Sequence, residues 1–359
     1  MKEESRLARI APAFALVVVS FLFRLPPLMN AAGTNSDAAI VGIQAMHIER
    51  GELSSFLLGS TYQTSVDSFW AAGFFEIFGP TPRALMLSAL VGHVIVTLIT
   101  YAILARTLTR RPAFVLSLLL VFTPAAVHSF ALYPPREMSL TIAFAAFFCM
   151  DRAMSGKAWL LAPGAALASF ACFADPYAFV LMPAAALVAL TAIADASKTS
   201  ARIGRFALAL AGAIAGAVPL ALLFLHTRSK RGELGVDTHR IVHNTHILVD
   251  SALPWLLGTK PYVAVHMMDY APWSPPVWMT PLLWLGAVSF VVALLAGPAV
   301  ALARDVDRSL RTWALAANFT TLVTLLGFST SVMVMDHFSM RYLTAILLMA
   351  PFSIAPLAT

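Results

Sequence analysis

The chain has 359 residues, of which 59% are hydrophobic and only 12% carry a charged side chain. A soluble domain usually has about twice that charged fraction, because its surface must contact water. The composition therefore excludes an ordinary soluble protein. The formal net charge of +6 is better explained by the loops of a membrane protein than by a nucleic-acid-binding surface, so we expect no nucleic-acid partner.

Apolar blocks long enough to cross a bilayer as helices recur along the chain. They predict an all-α, polytopic membrane protein that forms a single transmembrane domain over residues 1–359. The ten predicted spans are residues 10–29, 84–105, 112–131, 136–150, 158–173, 177–194, 206–226, 277–298, 312–335 and 341–358.

The basic residues between the spans gather in alternate connections. Of 24 Lys and Arg residues, 14 lie at the N-terminus or in the short turns 106–111, 152–157, 198–205 and 304–311. Short cytoplasmic loops of membrane proteins are enriched in Lys and Arg. The pattern predicts a cytoplasmic N-terminus in a bacterial inner membrane, surrounded by membrane lipids. The two long loops, 30–83 and 227–276, are then extracytoplasmic.

The first long loop carries an amphipathic pattern from Asp37 to Glu49, which predicts a helix lying along the membrane surface. Asn35 or Ser36 is placed to cap this helix. Asp37 then stands at the N-terminal end, where the helix dipole favours an ionised carboxylate. The expected apolar face is formed by Ile40, Ile43 and either Met46 or Ile48.

A second helix is predicted in the same loop from Ser65 to Phe78, with Asp67 near its start and Gly79-Pro80 at its end. Its aromatic residues are expected to pack against lipid or against the bundle. Asp37 and Asp67 also fit the role of ordinary helix-capping residues. On the pattern alone, this alternative to a catalytic role stays open.

Several short motifs occur in a characteristic order. Arg24-Leu-Pro ends the first span, and Asp37, the run 58–63, the run 65–72 and the run 78–85 follow. Later come Tyr133-Pro134-Pro135-Arg136-Glu137 and the run 337–343, His-Phe-Ser-Met-Arg-Tyr-Leu. Together they resemble membrane glycosyltransferases of the GT-C class. The likeness is closest to the dolichyl-phosphate-mannose-protein mannosyltransferase-like group and bacterial relatives such as lipid A aminoarabinose transferases.

The resemblance implies a GT-C-like fold and an inverting transfer of a sugar from a polyprenyl-phosphate donor to a lipid, glycan or protein acceptor. In this class an acidic residue of the first outward loop is the catalytic base, and Asp37 matches it. Asp67 and Glu137 are further catalytic candidates that would orient sugar or acceptor hydroxyl groups. The expected substrate-binding residues are Arg24, Tyr62, Tyr133, Arg136, Lys230, Arg231, His337 and Arg341.

Lys230, Arg231 and Arg341 are the candidates for contact with the leaving phosphate, since guanidinium and ammonium groups bind phosphate well. Basic residues at helix ends also extend toward lipid headgroups, and this alternative stays open.

His239, His243 and His246 would share one face of a helix, which makes them weak candidates for holding a divalent cation. Incidental histidines on a solvent-facing helix are the alternative. Asp37 is followed by Ala38 and Ala39, where the family often has a second acidic residue, and this departure weakens the case for an acidic metal site.

Two other functions stay open, a transporter or flippase and a non-catalytic membrane subunit. A transporter is expected to hold ionisable residues in the middle of its spans. The predicted spans hold hardly any, and the candidate carboxylates gather in outward loops. The distribution of charge therefore favours the enzyme.

Overall fold

The computed structural model describes residues 6–31, 34–60, 62–124, 136–226, 235–260, 262–264, 270–272, 274–335 and 337–359. Three predicted substrate-binding residues, Tyr133, Lys230 and Arg231, lie outside the described residues. His337 is described only as the first residue of a short 3-10 helix.

The helix α1 (Arg6–Met29) precedes the first long loop, which forms α2 (Ser36–Glu49) and α3 (Val66–Phe78). The later helices are α4 (Pro82–Thr107), α5 (Arg110–Val121), α6 (Glu137–Met154), α7 (Leu161–Ala174), α8 (Met182–Ala194), α9 (Thr199–His226), α10 (Ile241–Ile247), α11 (Leu253–Leu256), α12 (Met279–Ala303), α13 (Arg308–Thr330) and α14 (Thr344–Ile354).

Short 3-10 helices span Ala158–Leu160, Pro176–Leu181, Thr238–Arg240, His337–Leu343 and Ala355–Ala358, and a π-helical turn spans Leu248–Ala252. The second long loop contains an antiparallel pair of strands, β1 (Tyr262–Ala264) and β2 (Tyr270–Pro272), in which Tyr262 lies opposite Pro272.

Each of the ten predicted spans has a helix at its place. Among the described residues, seven helices are long and apolar enough to cross a membrane. Of the other three, α5 has 12 residues, the helix Ala158–Ala174 is also short, and α6 carries Glu137, Asp151 and Arg152. The all-α polytopic membrane fold is therefore confirmed, whereas the number ten stays a prediction.

The main apolar core lies between α4, α5, α6, α7, α8, α13 and α14. At its centre the Trp313 ring stacks on Phe352, with ring centroids 4.8 Å apart, and meets the ring of Phe147 edge-on at 5.4 Å. By contrast, α9 and α12 present rows of exposed apolar side chains, such as Ile214 and Leu285. Such faces suit contact with lipid.

A glycine pair lets α9 approach α7 closely. Gly212 and Gly216 form a G-x-x-x-G pattern, and a Cβ atom at either position would overlap the carbonyl oxygen of Ala162 or Ala166. Small residues at this spacing allow membrane helices to pack backbone against backbone. Because the opposite face of α9 is exposed, this glycine contact is its main attachment to the bundle.

The helix α2 confirms the prediction of a helix that begins beside Asp37. The side chain of Asn35 caps it by accepting a hydrogen bond from the backbone N–H of Ala38 at 2.8 Å. On the predicted apolar face, Ile43 is exposed, whereas Ile40, Met46 and Ile48 pack against the protein. Apolar residues occur on both sides of this helix, so the pattern does not tell which side faces protein. The buried residues of α2 are Ala38, Val41, Gly42, Gln44 and Ala45.

A buried ion pair joins α4, α6 and α13 at the end of the bundle that carries the basic turns. The fully buried carboxylate of Asp151 accepts two hydrogen bonds from Arg106, from Nε at 2.8 Å and from Nη2 at 2.7 Å. It also accepts one from the indole of Trp313 at 2.9 Å. Arg106 contacts the hydroxyl of Ser309 as well. The bidentate geometry makes this a strong pair.

Replacing Asp151 with Asn is expected to lower the free energy of unfolding by about 3–5 kcal/mol, because the Arg106 charge loses its buried partner. Thermal unfolding of the purified protein in detergent measures this. The control is Asp195→Asn, which breaks the pair of the partly buried Asp195 with the exposed Arg308 and should cost less than about 1 kcal/mol. Equal effects of the two variants would contradict the structural role of Asp151.

Candidate functional site

A polar cluster forms at the end of the bundle where α2, α3 and α6 begin. Asp37, in the first turn of α2, accepts a hydrogen bond from Nη1 of Arg341 at 2.9 Å. Arg341 belongs to the 3-10 helix before α14, 304 residues later in the chain. Both side chains remain partly exposed, 48% for Asp37 and 31% for Arg341. The carboxylate is therefore accessible and paired with a cation.

The ring of Tyr342 lies close to two guanidinium groups. The Cζ atom of Arg136 is 5.0 Å from the ring centroid, and that of Arg341 is 5.3 Å from it. The Arg136 guanidinium also lies 5.7 Å from the ring centroid of Tyr177. Stacking on aromatic faces stabilises such cations. Arg136 is thus held between two tyrosine rings beside Arg341.

Asp175, in the turn after α7, connects several residues of the cluster through its buried carboxylate. Its buried carboxylate accepts hydrogen bonds from the Gln63 amide at 2.7 Å and from the backbone N–H of Tyr177 at 2.7 Å. One of its oxygens lies 3.4 Å from Nε of Arg136. The Tyr177 hydroxyl donates to the Tyr342 carbonyl at 3.1 Å and accepts from the N–H of Ala345 at 2.9 Å. The turn after α7 is therefore tied to α6 and to the segment before α14.

Asp67 supports a strained turn at the start of α6. Its carboxylate accepts hydrogen bonds from the backbone N–H groups of Arg136 at 3.1 Å and Met138 at 3.2 Å. Arg136 has a φ of 100°, the only positive value among the described residues other than glycine. Such a conformation costs roughly 1–3 kcal/mol unless neighbours hold it. Asp67 thus acts here through the backbone that positions Arg136.

Burial raises the pKa of Asp67 to about 6, although the two backbone N–H groups act in the opposite direction. A carboxyl group whose pKa is higher in the folded protein binds more protons when folded. The stability contributed by protonated Asp67 is therefore complete below about pH 4 and is lost as the pH rises to about 6.

As the pH rises from about 4 to 7, we expect the melting temperature of wild type to fall relative to that of Asp67→Asn. The reason is that the neutral amide does not titrate. Thermal unfolding in detergent at several pH values measures the difference. A constant difference over this range would contradict the raised pKa.

Tyr62 lies half-buried beside the same charges. Burial raises the pKa of its hydroxyl group above the ordinary value, whereas the nearby Arg136 and Arg341 act to lower it. The structure thus brings together Asp37, Tyr62, Arg136 and Arg341 from the predicted set, with Asp67 directly behind them.

Glu137 and Arg24 belong to a neighbouring buried cluster. The guanidinium group of Arg24, fully buried, donates to the carbonyl oxygens of Val121 and Leu120, both at 3.2 Å, at the C-terminal end of α5. His93 contacts the Leu120 carbonyl at 2.8 Å and lies 3.8 Å from the buried carboxylate of Glu137. Arg24 therefore caps a helix instead of standing beside Asp37, and a substrate contact at Arg24 or a catalytic role for Glu137 stays a prediction.

The three candidate metal-binding histidines do not form a site in the described structure. His239 belongs to a 3-10 turn, whereas His243 and His246 belong to α10, so the assumed continuous helical face is interrupted. Within the described part of the chain, no group of three or more His, Cys, Asp or Glu side chains is arranged to hold a metal ion.

Sequence reasoning did not select Gln63, Asp175, Tyr177 or Tyr342 as site residues. Asp175 precedes a proline in a short turn, which is the pattern of a helix cap, and it does cap the turn after it. Its contacts with Gln63 and Arg136 join positions far apart in sequence. Tyr342 could have been selected from the sequence, because it follows Arg341 in the run 337–343 that carries part of the resemblance.

No family model matches the sequence, and no curated protein sequence matches it significantly. Its fold is similar to that of the archaeal oligosaccharyltransferase AglB from Archaeoglobus fulgidus, solved in complex with an inhibitory peptide and a dolichol-phosphate. The TM-score is 0.53 at 10% sequence identity, over 97% of this chain and 50% of AglB. The chain thus spans about half the length of AglB.

A second similar structure is that of ArnT from Cupriavidus metallidurans in the apo state, with a TM-score of 0.47 and 14% identity over 97% of this chain and 76% of ArnT. AglB and ArnT are glycosyltransferases of the GT-C class. At this identity the likeness to AglB concerns the fold alone. The chain is accordingly an all-α polytopic membrane protein with a GT-C-like fold.

Proposed function

We propose that the chain is an inverting glycosyltransferase that takes a sugar from a polyprenyl-phosphate donor at the extracytoplasmic face of the membrane, with Asp37 as the base. The acceptor class is a lipid, a glycan or a protein. The observation that carries the proposal is the pairing of the accessible Asp37 carboxylate with Arg341 beside a second guanidinium group, that of Arg136.

This arrangement suits glycosyl transfer. Asp37 would remove the proton from an acceptor hydroxyl or amino group as that group attacks the anomeric carbon of the sugar. The bond from this carbon to the phosphate oxygen breaks, and the electron pair leaves with the phosphate. Arginine groups at the leaving phosphate stabilise its charge in the transition state. A single attack from the face opposite to the phosphate inverts the anomeric configuration.

The fold supports the choice of donor. AglB, the solved structure with the higher TM-score of the two, contains dolichol-phosphate, which is a polyprenyl phosphate. By fold likeness, this supports the same class of lipid carrier for this chain. Tyr133, Lys230, Arg231 and His337 stay candidates for binding the donor or acceptor.

A transporter or flippase is the second candidate function. The observation that favours it is the buried group of ionisable residues formed by Arg24, His93 and Glu137 beneath the site. Ionisable residues inside a membrane bundle often mark a transport path. A transporter moves its substrate without breaking a glycosidic bond, so the two functions differ in their products.

The test is a transfer assay with the purified chain in lipid nanodiscs, a polyprenyl phosphate carrying a radiolabelled sugar, and acceptor fractions extracted from bacterial envelopes. We expect the label to leave the donor and free polyprenyl phosphate to accumulate. An intact donor with every acceptor fraction, in a preparation whose folding is verified by thermal unfolding, would overturn the proposal.

The side of the membrane is tested separately by cysteine labelling. A cysteine replacing Asp37 should react with an impermeant maleimide in intact spheroplasts, and one replacing Arg304 should react only after permeabilisation. Cys149 and Cys172 are half-buried and buried and serve as the background in the unmodified chain. The reverse labelling pattern would contradict the extracytoplasmic site.

A further inference from the structure

Two arginines, Arg136 and Arg341, lie close to the ring of Tyr342, and the hydrogen-bonding capacity of Arg341 is only partly used. A guanidinium group has five N–H donors. Arg341 directs Nη1 to Asp37 at 2.9 Å and makes a long contact from Nη2 to the Tyr342 hydroxyl at 3.4 Å. The buried Nε atom of Arg136 lies 3.4 Å from the Asp175 carboxylate, whereas Nε of Arg341 is buried without a hydrogen-bond partner within the described structure. A buried donor of this kind costs roughly 1–3 kcal/mol, which indicates that Arg341 has hydrogen-bonding capacity left for another acceptor.

The two arginines differ in how firmly they are held. Arg136 lies between the rings of Tyr177 and Tyr342, faces the buried Asp175 carboxylate, and begins α6 in a turn fixed by Asp67. Arg341 is 31% exposed, and its carboxylate partner Asp37 is 48% exposed. Ion pairs this accessible to water contribute about 0–1 kcal/mol. Arg136 is therefore the fixed cation and Arg341 the one that can change partner at little cost.

We propose that Arg136 and Arg341 form a binding site for a phosphate group, and that Arg341 leaves Asp37 when phosphate binds. The inference rests on the proposed function. It gives the leaving phosphate a defined binding site, and it states that Asp37, the base, separates from Arg341 when the donor binds. A phosphate offers several charged oxygens to two guanidinium forks, whereas Asp37 offers Arg341 a single hydrogen bond. The exchange replaces a weak exposed pair with a stronger one.

The exchange has a consequence for the order of substrate binding. Without phosphate, Arg341 lies on one oxygen of the Asp37 carboxylate and restricts the approach of an acceptor hydroxyl group to it. Once the donor phosphate holds Arg341, the carboxylate becomes available to the acceptor. The donor therefore binds before the acceptor, and the free polyprenyl phosphate product inhibits competitively with the donor.

The exchange can be measured without turnover by labelling Asp37 with a carbodiimide and an amine, followed by mass spectrometry of the full chain in nanodiscs. The guanidinium group of Arg341 on one carboxylate oxygen is expected to slow the reaction of Asp37 with this reagent. Polyprenyl phosphate is expected to increase labelling of Asp37 several-fold. Inorganic phosphate at millimolar concentration is the second arm: an equal increase shows that the phosphate group alone is recognised, and an increase with the lipid only shows that the prenyl chain is also needed.

Variants separate the two arginines. Arg341→Gln should label strongly at Asp37 even without phosphate and should not respond to it. Arg136→Gln should keep the low basal labelling of wild type and lose the response. Arg50→Gln, an exposed arginine at the end of α2, is the control that should respond as wild type does. Thermal unfolding verifies that each variant is folded.

Three results would overturn the inference. The first is phosphate binding, measured by native mass spectrometry, without a change in Asp37 labelling. The second is unchanged phosphate binding in Arg136→Gln. The third is that neither polyprenyl phosphate nor inorganic phosphate binds. The labelling requires no sugar transfer. A negative transfer assay together with a normal labelling response would therefore overturn the proposed function and leave the phosphate site standing.

Discussion

Replacing Asp37 with Asn is expected to lower the rate of sugar transfer by about 10²–10⁴-fold, the usual contribution of a general base. The amide has nearly the shape of the carboxylate but does not accept the acceptor proton. Folding should be preserved, because the cap of α2 is provided by Asn35 and the Asp37 side chain is partly exposed. The measurement is the rate of label transfer from a polyprenyl-phosphate sugar in nanodiscs.

The kinetic pattern distinguishes a base from a binding residue. Because Asn at position 37 leaves Arg341 without its carboxylate partner, the donor should bind at least as tightly as it does to wild type, so kcat falls and KM for the donor does not rise. Glu49→Gln removes an exposed carboxylate from the other end of the same helix and should have nearly full activity. Full transfer activity of Asp37→Asn would exclude Asp37 as the base.

Replacing Gly216 with Leu is expected to lower the free energy of unfolding by at least about 3 kcal/mol, at the upper end of overpacking effects. The leucine side chain would have to occupy the space of the Ala166 carbonyl on α7. A carbonyl within a helix cannot move aside without shifting the whole helix, so α9 would separate from α7. Thermal unfolding and size-exclusion chromatography of the purified variant in detergent measure the effect.

Gly204 provides the matched control in the same helix, because open space surrounds the position of its Cβ atom. Gly204→Leu also replaces a glycine of α9 with leucine. Its melting temperature should lie within a few degrees of that of wild type. Similar losses in both variants would mean that helix propensity or lipid contact, not the approach of α9 to α7, determines the stability.

The sequence was informative about elements whose signal is local. The apolar blocks located the membrane helices, and Asn35 with Asp37 predicted the start of α2 correctly. The buried face of α2 was not predictable, because the helix is apolar on both sides and Ile43 faces away from the protein. A hydrophobic pattern distinguishes a helix face that contacts protein from one that contacts water. It does not distinguish a face that contacts protein from one that contacts lipid.

The candidate site was predictable only in part. Asp37, Arg136 and Arg341 were selected by resemblance, but the contact between Asp37 and Arg341 joins residues 304 positions apart, which no local pattern encodes. Asp175 resembled a helix cap, and its contact with Arg136 depends on the packing of the turn after α7 against the start of α6. Arg24 was expected near the substrate, and its position against the α5 carbonyls depends on how α1 packs.

The central claim is that the cluster around Asp37, Arg136 and Arg341 holds the sugar and phosphate of a polyprenyl-phosphate donor. The most direct measurement is photo-crosslinking with a donor analogue that carries a diazirine on the sugar, followed by mapping of the modified peptides. We predict crosslinks in the peptides that contain residues 35–38, 62–67 and 339–344. Crosslinks confined to the opposite end of the bundle, in the peptides that contain Arg106, Asp151 and Arg308, would contradict the account.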